Sequence, residues 1–527
     1  MLKTELWIEM RKIYILPALM MLAVVFSGCY QFTAPPAAVD GDTFTKRKIS
    51  KRYTLPPQIR VLSVRQAQRI AVLNNPDYMS AAQAVNQAKA EYQRSFHSYF
   101  PKVSVGFDMD NTVNRYHGTR NTSPQGNRNF TTSTGLYTSL LVFDGLSRTM
   151  TMLSKKYSYK EQQALQDDAR RLLLQAVSYA YNDILLAIEQ NRIAKEDMNF
   201  QLETLRETQF KFEAGAVPLS DVLNFKILVN RAMNNQIEAQ YQFNIARYAL
   251  AQLMGLPKGS LEDSIEYSPI STIIDSALAS SDIYLDTALN NRPDLIGYRQ
   301  QLKASQYQLY STWGAFSPTV SVYTNLSMNT SHTRYGSSST TPNTYYNNPR
   351  LGYGMQVDWV LFEGGKRWFD VRIAQTQLAQ AKYAVASKWL EVVNDVRNAH
   401  DNYKQSAQKA KLFKETLALV VKQRDLVKEE YDAGNTELTR LNEAQRDKVE
   451  AETDFIKALV NIRNAKAQLD AATNSNDVGS FLNIAEFRDN SSQTSSTEAA
   501  PAAKENTAAA ATAKPSVNAA KKTAKTP

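Results

Sequence analysis

The stretch KRWFDVRIAQTQLAQAKYAVASKWLEVVNDVRNAHDNYKQSAQKAKLFKETLALVVKQRDLVKEEYDA, from Lys366 to Ala433, holds neither glycine nor proline. Gly364-Gly365 stand before it and Gly434 closes it. A second such run, Leu146 to Ala214, lies between Gly145 and Gly215. At about 1.5 Å per residue, a helix of this size is on the order of 100 Å long. The mean helix has only about 11–12 residues. In the later run Val385, Trp389, Val392, Val396, Ala399, Tyr403, Ala410, Phe413, Leu417, Val420, Val427 and Tyr431 follow alternating steps of three and four, with gaps at Ser406 and Arg424. A seven-residue apolar repeat held this far means helices wound around one another. Taken alone, the pattern is that of a structural coiled coil. The flanks point further.

With 43% apolar and 21% charged residues the chain can build a folded core. Its net charge of +10 raises the question of nucleic acid. Residues 1–60 carry +5 and residues 488–527 carry +3, which leaves only +2 for the middle. The basic excess sits at the ends, against a nucleic-acid partner. Arg11-Lys12 precedes the apolar stretch Ile13 to Phe26, and Ser27-Gly28 precede Cys29, the only cysteine. That is the layout of an export signal, with either Met1 or Met10 as the start. Residues 30–60, with Pro35-Pro36 and Pro56-Pro57, read as an extended leader. The tail from about Ser491 is Ala, Ser, Thr, Lys and Pro, a composition expected to be disordered.

The body is written twice. Asn74-Asn75-Pro76-Asp77 returns as Asn291-Arg292-Pro293-Asp294, and Pro101 to Val105 returns as Pro318 to Val322, both at a spacing of 217. Phe143-Asp144-Gly145 returns as Phe362-Glu363-Gly364, and Phe212 to Gly215 as Tyr431 to Gly434, now at 219. Each unit reads helix, strand, loop, strand, long helix, turn, helix. Helices are expected to start at Asp77 and Asp294 and to end before Pro101 and Pro318.

Between them the period falls to two. Val103, Val105, Phe107 and Met109 alternate with Ser104, Gly106 and Asp108, and Leu351, Tyr353, Met355, Val357, Trp359 and Leu361 with Gly352, Gly354, Gln356 and Asp358. These strands should run about 10–14 residues, with polar loops near 111–129 and 329–349. A soluble antiparallel sheet with one wet side would alternate in the same way. Against it, the apolar face carries Trp359, Tyr353 and Phe107, and no segment remains to cover it; the polar face suits a water-filled lumen. Four strands cannot close a barrel, and open edges are not tolerated in hydrocarbon. Two copies would give a filled barrel and three a lumen, so three copies in a closed ring are expected.

The repeated unit, the NPD and RPD helix starts, the FDG and FEGG joints, and the turns FEAGAVPLSDVL and YDAGNTELTRLNEA resemble those of the TolC-type outer membrane factors over about residues 60–475. The resemblance implies an α/β membrane protein. Its trimer would form a 12-stranded outer membrane β-barrel, with 4 strands per chain, continuous with a long periplasmic α-helical barrel and built on an internal structural duplication. Residues 1–28 would be a signal peptide and 29–60 a lipid-anchored leader. Residues 61–256 and 286–474 would be the two repeats and 257–285 an equatorial segment between them. Residues 475–527 would be a last equatorial segment and tail. Ser-Gly before Cys29 resembles a lipobox, so the family reading is cleavage before Cys29 and lipid on its thiol and amine, as in the lipoprotein branch that serves RND-type pumps.

The implied function is an exit duct. It passively conducts substrates received from a periplasmic adaptor and an inner membrane RND or ABC transporter. A type I protein secretion duct and a non-conducting lipid-anchored scaffold are the alternatives. The implied adaptor-docking tips are Gly215, Leu219, Ser220, Gly434, Leu438 and Thr439. The glycines would end helices and Ser220 and Thr439 would cap the returning ones. Asp221 and Tyr431 match a pair that ties neighbouring helices in the closed state. Arg440 and Glu443 stand where members often carry lumen-facing aspartates. The basic Arg440 departs from an acidic ring, and the two can instead pair across subunits. Thr436 departs from an arginine of some members. His97, His117, His332 and His400 form no metal-ligand spacing, and no phosphate loop, nucleophile elbow or HExxH is present. No enzyme activity and no cofactor are expected.

Overall fold

The computed structural model describes residues 60–115, 126–271, 278–335 and 342–475. The export signal, Cys29, the leader and the alanine-rich tail lie outside the described residues. The chain divides into units 1–476 and 477–527, and everything described belongs to the first.

Each half opens with a short helix that the sequence reading did not resolve: α1 (Val64–Asn74) and, later, α5 (Ser281–Asn291). Ser63 and Gln66 form a reciprocal capping box at the start of α1. α2 (Pro76–Arg94) and α6 (Pro293–Gly314) follow, each with proline at its first position, where a missing N–H costs nothing. Asn75 caps α2 by accepting from the Tyr78 N–H at 3.0 Å. The connection between halves begins the second unit earlier than residue 286, because α5 starts at Ser281. Its strand β4 (Glu266–Tyr267) pairs in parallel with β1 (Val61–Leu62), and the buried Arg247 holds Asp263 at 2.7 Å.

Four long strands form one antiparallel sheet in the order β2 (Lys102–Arg115), β3 (Gly126–Phe143), β5 (Thr319–Tyr335), β6 (Thr344–Asp358). They run 14, 18, 17 and 15 residues; β2 is at the upper end of the expected length and the other three exceed it, so the strands reach into the expected loops. The Asn/Ser/Thr-rich ends have no apolar alternation, yet their backbones stay in the ladder as far as Arg115↔Gly126 and Thr333↔Thr344. Register aligns whole rows across the sheet: Val105–Leu136–Leu326–Leu351 on one face and Gly106–Gly135–Ser327–Arg350 on the other. The apolar row is exposed throughout. On the polar face the Tyr137 ring lies over Gly106 and Gly135, and Tyr323 over Gly354. A Cβ on Gly135 would stand 2.7 Å from the Tyr137 hydroxyl. Aromatic cover of strand glycines restores packing that glycine lacks. Among the described residues nothing pairs with the outer edges of β2 and β6.

At the joint after β3, Arg148 donates to the carbonyls of Ser98, Leu141 and Val142 at 3.1, 2.5 and 2.6 Å. Its partner in the second half, Arg367, donates to Val360 O at 2.5 Å. From these joints run α3 (Ser147–Glu213) and α7 (Lys366–Asp432), 67 residues each, about 100 Å. α4 (Leu219–Leu253) returns along α3 and α8 (Leu438–Thr473) along α7; α3 also packs on α6 and α8. The expected core face of α7 is realised in Val392, Val396, Ala399, Tyr403, Ala410 and Val427, all buried. Ser406, a gap in the apolar pattern, is buried as well. Among the described residues no helix is long and apolar enough to cross a membrane.

Candidate functional site

Both long helices end in the same hydrogen-bonded turn. Gly215 and Gly434 take φ of +73° and +78°, the left-handed conformation glycine adopts without penalty. Ala216 N–H reaches Lys211 O at 2.8 Å and Gly215 N–H reaches Phe212 O at 2.9 Å. Asn435 N–H reaches Glu430 O at 2.8 Å and Gly434 N–H reaches Tyr431 O at 3.0 Å. These are two Schellman motifs. A Cβ on either glycine would meet nothing within 4 Å, so the turns are held by their own backbone. Gly215, Leu219, Ser220, Gly434 and Thr439 are exposed and Leu438 is half-buried.

The capping roles expected of Ser220 and Thr439 are corrected. The returning helices begin two residues earlier than such caps would place them, with extended Pro218 and Glu437 as N-caps and no side-chain cap in either. The two hydroxyls therefore sit inside the first turn, where Ser220 donates to Asp221 Oδ1 at 3.3 Å.

Tyr431, near the end of α7, packs beside a small cluster of Val427, Leu441 and Ala444, together with Phe200 of α3. Thr208, whose own hydroxyl donates to Thr204 O at 2.8 Å, lies beside its hydroxyl, and Lys211 Nζ stands 4.6 Å from its ring centre. Burial first, then the charges of Asp221, Glu207 and Asp432, push the phenol above its ordinary range, while the neighbouring Thr208 hydroxyl works the other way. The ring is therefore a neutral donor at physiological pH. Within one chain the structure brings Asp221 near Tyr431, but the nearest polar neighbours of its ring and hydroxyl are Lys211 and Thr208. The sequence reading missed both. The signal for Thr208 was a polar run on the inner face of α3, Gln201, Thr204 and Thr208, all buried. Arg440 and Glu443 are exposed, and among the described residues neither has an ion-pair partner in the chain.

A second polar cluster was not anticipated. Arg292 and Asp294, 2% and 3% exposed, bind through two hydrogen bonds of 3.1 and 2.6 Å. Arg292 also reaches Asp395 of α7 at 2.9 Å. Lys388 and Arg171 approach Asp294 at 3.5 and 3.9 Å, and Arg171 holds Asp168 and the Ala471 carbonyl. α3, α6, α7 and α8 meet here. Burial alone would raise the Asp294 carboxyl. The hydrogen bonds and charge of Arg292, the Leu295 N–H and Arg171 outweigh it and hold the carboxyl below its usual range. Among the described residues no group of three side chains is placed to hold a metal ion.

A profile of the outer membrane efflux protein family matches residues 69–256 and again residues 284–475. The alkaline protease secretion protein AprF of Pseudomonas aeruginosa is 26% identical over 265 residues, 48% of this chain and 52% of that protein. The chain thus spans about half the length of that relative. Outer membrane protein TolC of Escherichia coli is 22% identical over 423 residues, covering 77% of this chain and 82% of that one. The crystal structure of the Campylobacter jejuni CmeC outer membrane channel superposes with a TM-score of 0.64 at 18% identity, over 84% of this chain and 93% of that chain. With both halves matched, and with the sheet and helices in this arrangement, the chain belongs to the outer membrane efflux protein family.

Proposed function

We propose that three copies of this chain close into a pipe: three four-stranded sheets make a 12-stranded β-barrel in the outer membrane, and the long helices continue it across the periplasm. The observation that carries this reading is the sheet itself, with one exposed apolar face and two unpaired edges. In hydrocarbon every backbone group must be paired, and joining β6 of one copy to β2 of the next pairs them all.

Two further features support it. Aromatic side chains end the apolar band, Trp359 at the helical side and Phe130, His332 and Tyr345 at the other. Tyr345 to Trp359 is about 46 Å along the strand at about 3.3 Å per residue. At a tilt of about 40° it spans about 35 Å, which suits a bilayer with its interfaces. The helices also carry unpartnered apolar stripes: Tyr383, Leu390, Leu412, Leu419 and Leu426 on α7, and Leu223, Ile227, Ile237, Tyr241 and Tyr248 on α4. Packed copy against copy, they bury each other. Ile237→Glu with Leu419→Glu is expected to convert a detergent-solubilised trimer to monomer, since an unpaired charge in an apolar seam costs several kcal/mol. Mass measurement by light scattering checks this. An unchanged trimer removes the stripes from the seam.

The pipe is a passive exit duct, joined at its helical turns to a periplasmic adaptor and fed by an inner membrane pump. Gly215, Leu219, Ser220, Gly434, Leu438 and Thr439 would meet the adaptor. Tyr431 with Asp221 would hold the turns closed, and Arg440 with Glu443 would line the narrow end. Asp221→Ala with Tyr431→Phe is expected to raise single-channel conductance in planar bilayers, because a donor and an acceptor of the closed state are both removed. Conductance equal to the parent's excludes them as the lock. Cys29 is the proposed lipid anchor, and Cys29→Ser should abolish labelling by radioactive palmitate. A secretion duct is the second reading, favoured by the similarity to AprF. Export of a folded-domain reporter by a strain lacking its own duct separates it from small-molecule efflux.

A further inference from the structure

Arg128 on β3 and Arg334 on β5 lie directly opposite one another in the ladder. Their parity places both on the apolar face, one step beyond the row Asn111–Phe130–His332–Tyr345 that ends the band. Like charges opposed on neighbouring strands repel, and strand partners of this kind stand only about 4.5–5.5 Å apart at Cα. Neither arginine has an ion-pair or hydrogen-bond partner among the described residues, and both are exposed. From Val103 to Val113, Arg128 to Leu140, Val320 to Arg334 and Tyr345 to Val357, the outward positions include no Asp or Glu. Among the described residues the pair is therefore an uncompensated site of two positive charges at the rim of an apolar, membrane-sized surface.

We infer that Arg128 and Arg334 form a binding site for the phosphomonoester headgroup of an outer-leaflet lipid, whose acyl chains lie along the Phe130, Met328 and Leu326 side of the barrel. The inference rests on the sheet being the membrane wall. A phosphomonoester carries about −1.5 to −2 charge, which balances two guanidinium groups. Planar guanidinium forks bind phosphate oxygens in pairs. A lipid satisfies both halves of the patch, charge above and apolar surface below. A soluble phosphate would meet only the first. His332, 6.4 Å from Tyr345 between ring centres, lies at the boundary between the two.

The test is native mass spectrometry of the detergent-solubilised trimer with dioleoyl phosphatidic acid or dioleoyl phosphatidylcholine, alongside single-channel recording of the same samples. The parent should retain phosphatidic acid in preference to phosphatidylcholine, and excess inorganic phosphate should displace it poorly. Arg128→Gln with Arg334→Gln should weaken that retention at least about tenfold, the loss expected for charge-assisted hydrogen bonds, while conductance stays at the parent's level. Arg350→Gln, which removes an arginine from the opposite face of the sheet, should leave retention unchanged. Equal retention of the two lipids, unchanged retention in the double variant, equal loss in Arg350→Gln or ready displacement by inorganic phosphate would each overturn the site. A parent that never conducts counts against the barrel reading instead.

Discussion

Asp294→Ala is expected to destabilise the protein by about 3–5 kcal/mol, the cost of leaving a buried ion-pair partner uncompensated. Arg292 would lose two of its hydrogen bonds, and Lys388 and Arg171 would face each other across the vacated position. Asp294→Asn keeps one oxygen for Arg292 or the Leu295 N–H, and its loss should be smaller. Urea unfolding followed by circular dichroism reads both. If the Ala and Asn variants unfold together with the parent, the cluster carries no net stability. The same site sets a pH response. The Asp294 carboxyl is held below its unfolded value of about 3.9. Its contribution is therefore complete above that pH and is lost as pH falls through the lower, folded value. The Asp294→Ala protein should accordingly differ most from the parent near neutrality and converge with it in strong acid.

The second large effect comes from a comparison of two glycines. Gly145 and Gly215 share the left-handed backbone, at φ of +64° and +73°. A side chain at Gly215 meets nothing within 4 Å, whereas a Cβ at Gly145 would lie 2.5 Å from the Gly314 carbonyl oxygen and from Ser317 Cβ. Gly215→Ala should therefore cost only the conformational term, about 1–2 kcal/mol. Gly145→Ala adds overpacking of about 1–3 kcal/mol and pushes α6 away from the start of α3, where Ser147 bonds Ser311. Thermal unfolding should rank Gly145→Ala well below Gly215→Ala. Equal midpoints would mean that the joint relaxes freely.

The long helices, the alternating strands and the glycine-bracketed turns were legible because each rests on local chemistry: period, propensity and the conformational reach of glycine. The strand ends were not. Asn111 to Arg115 and Gly126 to Thr131 hold only one apolar residue each, Val113 and Phe130, too few to show an alternation, and only pairing with a neighbour makes them strands. Ser220 and Thr439 were read as caps because their type favours that place, yet Pro218 and Glu437 already carry the extended backbone that starts the helix. The buried cluster was invisible for another reason. Arg171, Asp294 and Asp395 come from three helices far apart in the chain, and no spacing announces them. The seven-residue stripe of Tyr383 and Leu390 interleaves with the core stripe of Val385 and Val392. The sequence marks both as apolar, and packing alone tells which one is covered.

The charged cluster at Asp395 and the turn after Asp432 stand 37 residues apart on one unbroken helix, about 55 Å. That geometry makes α7 a lever with its fulcrum at Arg292. A tilt of about 5° at the fulcrum, well within the scatter of helix packing angles, swings the far end by about 5 Å. In the proposed trimer, the amplitude needed to widen its narrow end would thus arise without breaking a single backbone hydrogen bond along the shaft.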